Sequence, residues 1–108
     1  MAEKKNLKHE LIVVIANEGF SDVIMDAARE AGARGGTILH ARGTANKEME
    51  KRYGIVITPS KEMLYILVNE EIRDAVMTAV NKVAGIETKG QGIVFALPVS
   101  HVAGLKFE

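Results

Sequence analysis

Two stretches of this chain are apolar without the alternation expected of a half-wetted strand. Leu11 through Ala16 is continuously apolar, and Met63 through Val68 is nearly so. An antiparallel sheet with one face in water alternates apolar and polar residues, so these runs predict strands covered on both faces. After each run the period changes. Val23, Ile24, Ala27, Ala28 and Ala31 recur at helical spacing, as do Ile72, Ala75, Val76, Ala79, Val80 and Val83, and each set draws one apolar stripe along a helix. Ser21 and Asn69 stand at N-cap positions, with Asp22, Glu70 and Glu71 in the first turns, and Gly32 and Gly85 are placed to supply left-handed stops.

Each helix then leads through a glycine-rich turn into a closing strand, Gly35 to Arg42 in the first half and Gly90 to Pro98 in the second. Strand, helix, strand is therefore written twice, over residues 10–42 and again over 61–99. Two βαβ units in about a hundred residues predict an α+β, ferredoxin-like double βαβ sandwich (βαββαβ), a four-stranded antiparallel sheet with two helices on one face. Two helices leave the second face bare. Its economical cover is another copy of the chain, so an obligate homo-oligomer is expected. The other way to close that face is with residues 43–60.

That connection, Gly43 to Ser60, is far longer than a hairpin loop, and connections of this length in compact domains are usually functional. Asn46 to Tyr53 is charged at helical spacing, with Glu48 and Arg52 placed to pair at i, i+4, and predicts one or two turns of exposed helix. Ile55-Val56-Ile57 before Thr58-Pro59 predicts a short extended segment leading back to the third strand.

Composition narrows the function classes. A chain of 108 residues, 47% hydrophobic, holds one core, so residues 9–108 read as a single domain behind a charged N-terminal arm at 1–8. The absence of cysteine removes disulfides, thiol nucleophiles and zinc ribbons. Fourteen basic and fourteen acidic side chains cancel, which argues against wrapping nucleic acid or an anionic membrane but leaves room for a local site for a small anion. With no apolar run near 18 residues and no signal peptide, a cytoplasmic protein is expected.

Catalytic groupings are missing. Serines occur only at 21, 60 and 100, outside any Gly-x-Ser-x-Gly elbow, and His9, His40 and His101 lack ligand spacing. His40 is expected to be packed or hydrogen-bonded, and His9 and His101 to lie on the surface. No acid/base carboxylate pair is defined by spacing, so an enzyme is the weaker class. What remains is the pair of turns Arg34-Gly35-Gly36-Thr37 and Lys89-Gly90-Gln91-Gly92. Glycines leave backbone N–H groups bare to an approaching phosphate, and a flanking Lys or Arg adds charge-assisted hydrogen bonds.

The run Gly35-Gly36-Thr37-Ile38-Leu39-His40-Ala41-Arg42-Gly43, followed by a long connection, resembles the PII nitrogen-regulatory signalling family and its PII-like relatives. So does Gly90-x-Gly92-x-x-Phe95-x-x-Pro98-Val99, the more specific of the two. The likeness extends from residue 10 to 108. It implies a ferredoxin-like homotrimer, without enzymatic activity or cofactor, that binds an adenine nucleotide (ATP, ADP or AMP) between subunits. It also implies a signalling loop, here residues 44–60, that reports the ligand to a partner protein such as a membrane transporter or a metabolic enzyme. By the same resemblance Gly35, Gly36 and Thr37 match the segment that contacts the base. Gly90 and Gly92, flanking Gln91 and preceded by Lys89, match glycines that cradle phosphate in the neighbouring subunit. Gly43 matches the glycine at the loop's root, Lys61 a phosphate-side lysine just before the third strand, and Leu67 an apolar residue lining the base pocket.

Departures from the family pattern are informative. Ile93 stands where the nitrogen regulators have a lysine after Gly-x-Gly, and Gly104 and Lys106 stand where they have two arginines after Pro-Val. Three phosphate-facing cations reduce to one, Lys106. Each lost contact weakens binding by about 1.5–3 kcal/mol unless Arg34, Arg42, Lys61 or Lys89 compensates, which favours a ligand of lower charge than a triphosphate. The loop is shorter, and Tyr53-Gly54 does not reproduce the modified-tyrosine context. The runner-up is a divalent-metal-binding trimer of the cation-tolerance type on the same scaffold, which needs histidine or carboxylate ligands converging at a subunit cleft.

Overall fold

The computed structural model describes residues 8–44, 47–54 and 59–105. Seven elements follow in order: β1 (His9–Asn17), α1 (Ser21–Glu30), β2 (Thr37–Arg42), α2 (Lys47–Tyr53), β3 (Ser60–Asn69), α3 (Glu70–Ala84) and β4 (Ile93–Val99). The strands form one sheet in the order β2-β3-β1-β4, every neighbouring pair antiparallel. This is the α+β ferredoxin-like arrangement the duplicated pattern predicts, with the two apolar runs as its central strands.

Period two divides the sheet cleanly. Ile12, Val14 and Ala16 of β1 and Leu64, Ile66 and Val68 of β3 point to the helix face. There they join Ile24, Met25 and Ala28 of α1 and Val76, Val80 and Ala84 of α3 in the buried core. The opposite face carries Leu11, Val13 and Ile15, their β3 partners Leu67, Tyr65 and Met63, and their β4 partners Leu97, Phe95 and Ile93. Among the described residues, no element lies over it. Ile93 is 57% exposed, Leu97 47% and Phe95 38%. The continuous hydrophobicity of β1 and β3 is thus explained as two apolar faces, of which the described residues cover one.

The helix ends are settled differently from one another. Asn69 caps α3 as expected, its side-chain oxygen accepting the Glu71 N–H at 2.9 Å. Ser21 does not cap α1. It is the first helical residue, and the cap position falls to Phe20, whose side chain makes no capping bond. Gly32 takes the left-handed stop at φ +115°. Gly85 does not, since its φ of −69° and ψ of −175° are extended. Gly85 is required for space instead, because a Cβ there would overlap the Asn81 carbonyl and side chain, and it bridges in parallel to Gly92. The glycines of both turns precede the strands, which start only at Thr37 and Ile93.

In the long connection, α2 realises the expected exposed helix. Lys51, Arg52 and Tyr53 are exposed, as is Glu48, so α2 does not close the bare face, and no Glu48–Arg52 ion pair forms among the described residues. The extended segment expected at Ile55-Val56-Ile57 lies outside the described residues. At the loop's root the Gly43 N–H donates to the Pro59 carbonyl at 2.7 Å.

Candidate functional site

β1 is central, and its last residue, Asn17, faces Lys61 across the β1–β3 ladder. Cross-strand partners share a sheet face. The Lys61 Nζ donates to Asn17 Oδ1 at 2.6 Å, and the Asn17 side-chain amide donates to the Lys89 carbonyl at 2.9 Å. The Asn17 backbone N–H donates in turn to the Gly90 carbonyl at 2.8 Å. Lys61 therefore lies one hydrogen-bonded residue away from the Lys89-Gly90-Gln91-Gly92 turn. Its alkyl stem runs under Gly43, whose absent Cβ would sit 3.1 Å from Lys61 Cε. Gly43, Lys61, Lys89, Gly90, Gln91 and Gly92 are thus gathered at one end of the sheet, at the root of the long connection.

The remaining expected residues stand elsewhere. Thr37 opens the edge strand β2 opposite Tyr65, and Gly35 and Gly36 precede it. Gly36 packs closely, with the Tyr65 carbonyl 3.0 Å and Met25 Sδ 3.2 Å from where a Cβ would be. Leu67 lies on the bare face opposite Leu11, six residues along β3 from Lys61, roughly 20 Å at about 3.4 Å per residue. β2 and β4 are opposite edges, three strand spacings or roughly 14 Å apart. One chain holds two separate half-sites at opposite ends of the β2–β3 ladder: Gly35, Gly36, Thr37 and Leu67 at one end, and the cluster around Asn17, with Gly43 and Lys61, at the loop's root at the other. Lys61 lies inside β3 rather than before it, and Lys106 lies outside the described residues.

The glycine turn is tighter than a bare anion cradle. The Gly90 N–H donates to Thr88 Oγ1 at 3.1 Å, Gln91 N–H to the Thr88 carbonyl at 3.0 Å, and Gly92 N–H to the Ala84 carbonyl at 2.7 Å. All three amides have partners within the chain. Gln91 is the one non-glycine at positive φ among the described residues, +48°, and is exposed. The groups at this turn with capacity to spare are the Gln91 side chain and the Lys89 ammonium, both exposed, together with the two N–H bonds of Lys61 not given to Asn17.

Two polar residues escaped the sequence reading. Asn17 ends an apolar run with a carboxamide, and a polar strand terminus opposite a lysine was the available signal. Glu62 is the buried charged residue of the described part, 7% exposed. It falls on the same strand face as Leu64, Ile66 and Val68, where period two predicts an apolar side chain. Its Oε1 accepts the Gly19 N–H at 3.1 Å, which ties the β1–α1 turn to β3. His40 is not packed. Its ring is largely exposed on β2, with Nδ1 3.9 Å from Glu18 Oε2 and 4.0 Å from Glu62 Oε2. His9 is half-buried in β1, and His101 is exposed beside Ser100 Oγ at 3.2 Å. Among the described residues no group of three or more His, Asp or Glu is placed to hold a metal ion, and no helix is long and apolar enough to cross a membrane.

Comparison with known proteins adds an independent line. Comparison with curated proteins gives no match. Among solved structures, the chain resembles a PII-like signalling protein from Thermus thermophilus at 17% identity and a TM-score of 0.65, covering 86% of this chain and 87% of that one. It also resembles Arabidopsis thaliana PII bound to citrate (22% identity, TM-score 0.66, 87% and 79% covered) and the B. subtilis GlnK–ATP complex (14%, 0.63, 86% and 83%). These similarities carry the fold. The sequence itself matches the family described as Nitrogen regulatory protein P-II over residues 9–108, nearly its whole length. The chain belongs to the nitrogen regulatory protein P-II family.

Proposed function

We propose that this protein is a non-enzymatic, cytoplasmic regulator that assembles as a homotrimer. In this reading it binds an adenine nucleotide or a similar small anion in clefts between subunits, and signals its occupancy to a partner protein through residues 44–60. The observation that carries the reading is the gathering of Lys61, Gly43 and the Lys89–Gly92 turn at the root of the long connection. A ligand held there touches the base of the segment that would report it. The two half-sites at opposite ends of β2 and β3 favour a cleft completed by a neighbouring copy. The bare apolar face gives that copy a place to pack.

The relatives' ligands, citrate and ATP, are both multivalent anions, and the cations around Asn17 suit that chemistry. Ile93, Gly104 and the engaged amides of the turn leave fewer contacts for a γ-phosphate, so ADP or AMP is favoured over ATP. Signalling requires that the ligand prefer one loop arrangement, and a preference of about 1.4 kcal/mol changes the populations tenfold. The partner is a protein such as a membrane transporter or a metabolic enzyme.

The test is calorimetry with ATP, ADP, AMP and divalent cations, alongside a native mass measurement. Trimer mass and nucleotide binding that weakens at least tenfold on Lys61→Met are expected. Heat for divalent cations with none for any nucleotide would overturn the assignment in favour of a metal-binding trimer.

A further inference from the structure

Asn17 occupies a position that nothing in the family resemblance assigns. The partners on its two sides fix the orientation of its carboxamide. The Lys61 ammonium can only donate and the Lys89 carbonyl can only accept, so Oδ1 must face the first and Nδ2 the second. The carboxamide offers an acceptor to one neighbour and a donor to the other from two separate atoms. On the Lys61 side the contact continues to the loop's root, because the lysine stem runs under Gly43 and the Gly43 N–H closes the loop on the Pro59 carbonyl. The Glu18 N–H, next along the chain, bonds the Ser60 carbonyl at 3.2 Å on the same side. On the Lys89 side the Asn17 backbone and side chain both hold the glycine turn.

We infer that Asn17 is a positioning residue that links the Lys89–Gly92 turn to the root of the long connection, by holding Lys61 on one side and the turn's backbone on the other. An anion at the turn takes the Lys61 N–H bonds that Asn17 leaves free, and so draws on the same ammonium that Asn17 Oδ1 holds in place. Its arrival is therefore also felt at Gly43 through the lysine stem. That consequence rests on the ligand reading proposed above, whereas the link itself does not.

Amide hydrogen exchange separates the two. In the ligand-free protein, with the Val76 and Val80 amides reporting global opening, Asn17→Leu should speed exchange at least tenfold at both Gly43 and Gln91. Asn17→Asp keeps an acceptor for Lys61 but turns a carboxylate oxygen toward the Lys89 carbonyl. It should leave Gly43 within about threefold of wild type while Gln91 speeds up as in Asn17→Leu. A packing role alone predicts equal effects at the two amides in both variants. That result, or no effect of Asn17→Leu at either amide, overturns the inference. With ADP as the probe, slowing of Gly43 exchange in the wild type should be lost in Asn17→Leu. If ADP binds and its effect on Gly43 persists undiminished in that variant, the link is refuted and the binding site stands. If ADP, ATP and AMP all fail to bind while the split between Asp and Leu variants is observed, the ligand reading falls and the link stands.

Discussion

Gly92 donates its backbone N–H to the carbonyl oxygen of Ala84, at the end of α3, and a Cβ at position 92 would overlap that same oxygen. The second glycine of the specific motif is thus required by the docking of α3 against the start of β4, whatever else it does. Gly92→Ala should lower stability by about 1–3 kcal/mol, the usual cost of overpacking a filled site, and Gly92→Val by more. Chemical denaturation measures this, and unchanged stability would show that α3 and the turn separate freely. Because the fold suffers first, ligand contact at this turn is better probed at Gln91.

The bare sheet face predicts the state of association. Full burial of a large aliphatic or aromatic side chain contributes about 1.5–3 kcal/mol, and Ile93, Phe95, Leu97, Tyr65 and Leu39 are all partly exposed there. Phe95→Asp or Leu97→Asp should convert the assembly to monomer, or to aggregate, in sedimentation velocity. Wild-type protein that sediments as a stable monomer would refute the proposed trimer.

Glu62 separates charge from hydrogen bonding. Glu62→Gln keeps an acceptor for the Gly19 N–H and should change stability little. Glu62→Leu leaves that amide without its partner and should cost about 1–3 kcal/mol, read as a fall in denaturation midpoint. Equal effects of the two substitutions would place the role of Glu62 in charge, through the carboxylate's proximity to His40.

Arg73 is held by two carboxylates at once. Its Nε bonds Asp74 at 3.0 Å and its Nη1 bonds Glu10 at 2.5 Å, so the contact ties α3 to the beginning of β1. The hydrogen bond to Asp74, then that to Glu10, raises the guanidinium above its ordinary value. A raised basic group contributes stability throughout the range below its unfolded value and loses it only at higher pH, so Arg73 adds no pH dependence near neutrality. Arg73→Lys, whose single ammonium cannot reproduce the fork, should lower the midpoint of thermal unfolding at low salt. The difference should shrink in about 1 M salt, where the screening length falls to ~3 Å. A difference unaffected by salt would assign the effect to the packing of the arginine stem instead.

Element order, the two central strands and the core stripe of each helix are legible in the residues alone, because period two and period 3.6 are local consequences of side-chain geometry. The exposed helix α2 and the cap at Asn69 are legible for the same reason. Ser21 and Gly85 depart from their expected roles as cap and stop because both residue types suit more than one backbone position. Which role each plays depends on where the β1–α1 turn places Phe20 and how closely Gly85 meets Asn81. The half-sites became separate only when antiparallel pairing of β2 with β3 put Thr37 beside Tyr65 at one end and Arg42 beside Ser60 at the other, an outcome of register between segments on either side of the long connection. Asn17 and Glu62 carry no local motif. Each acquires its partners through long-range register, Asn17 with Lys61 and Lys89, Glu62 with Gly19, and such pairings exist only once the chain has folded.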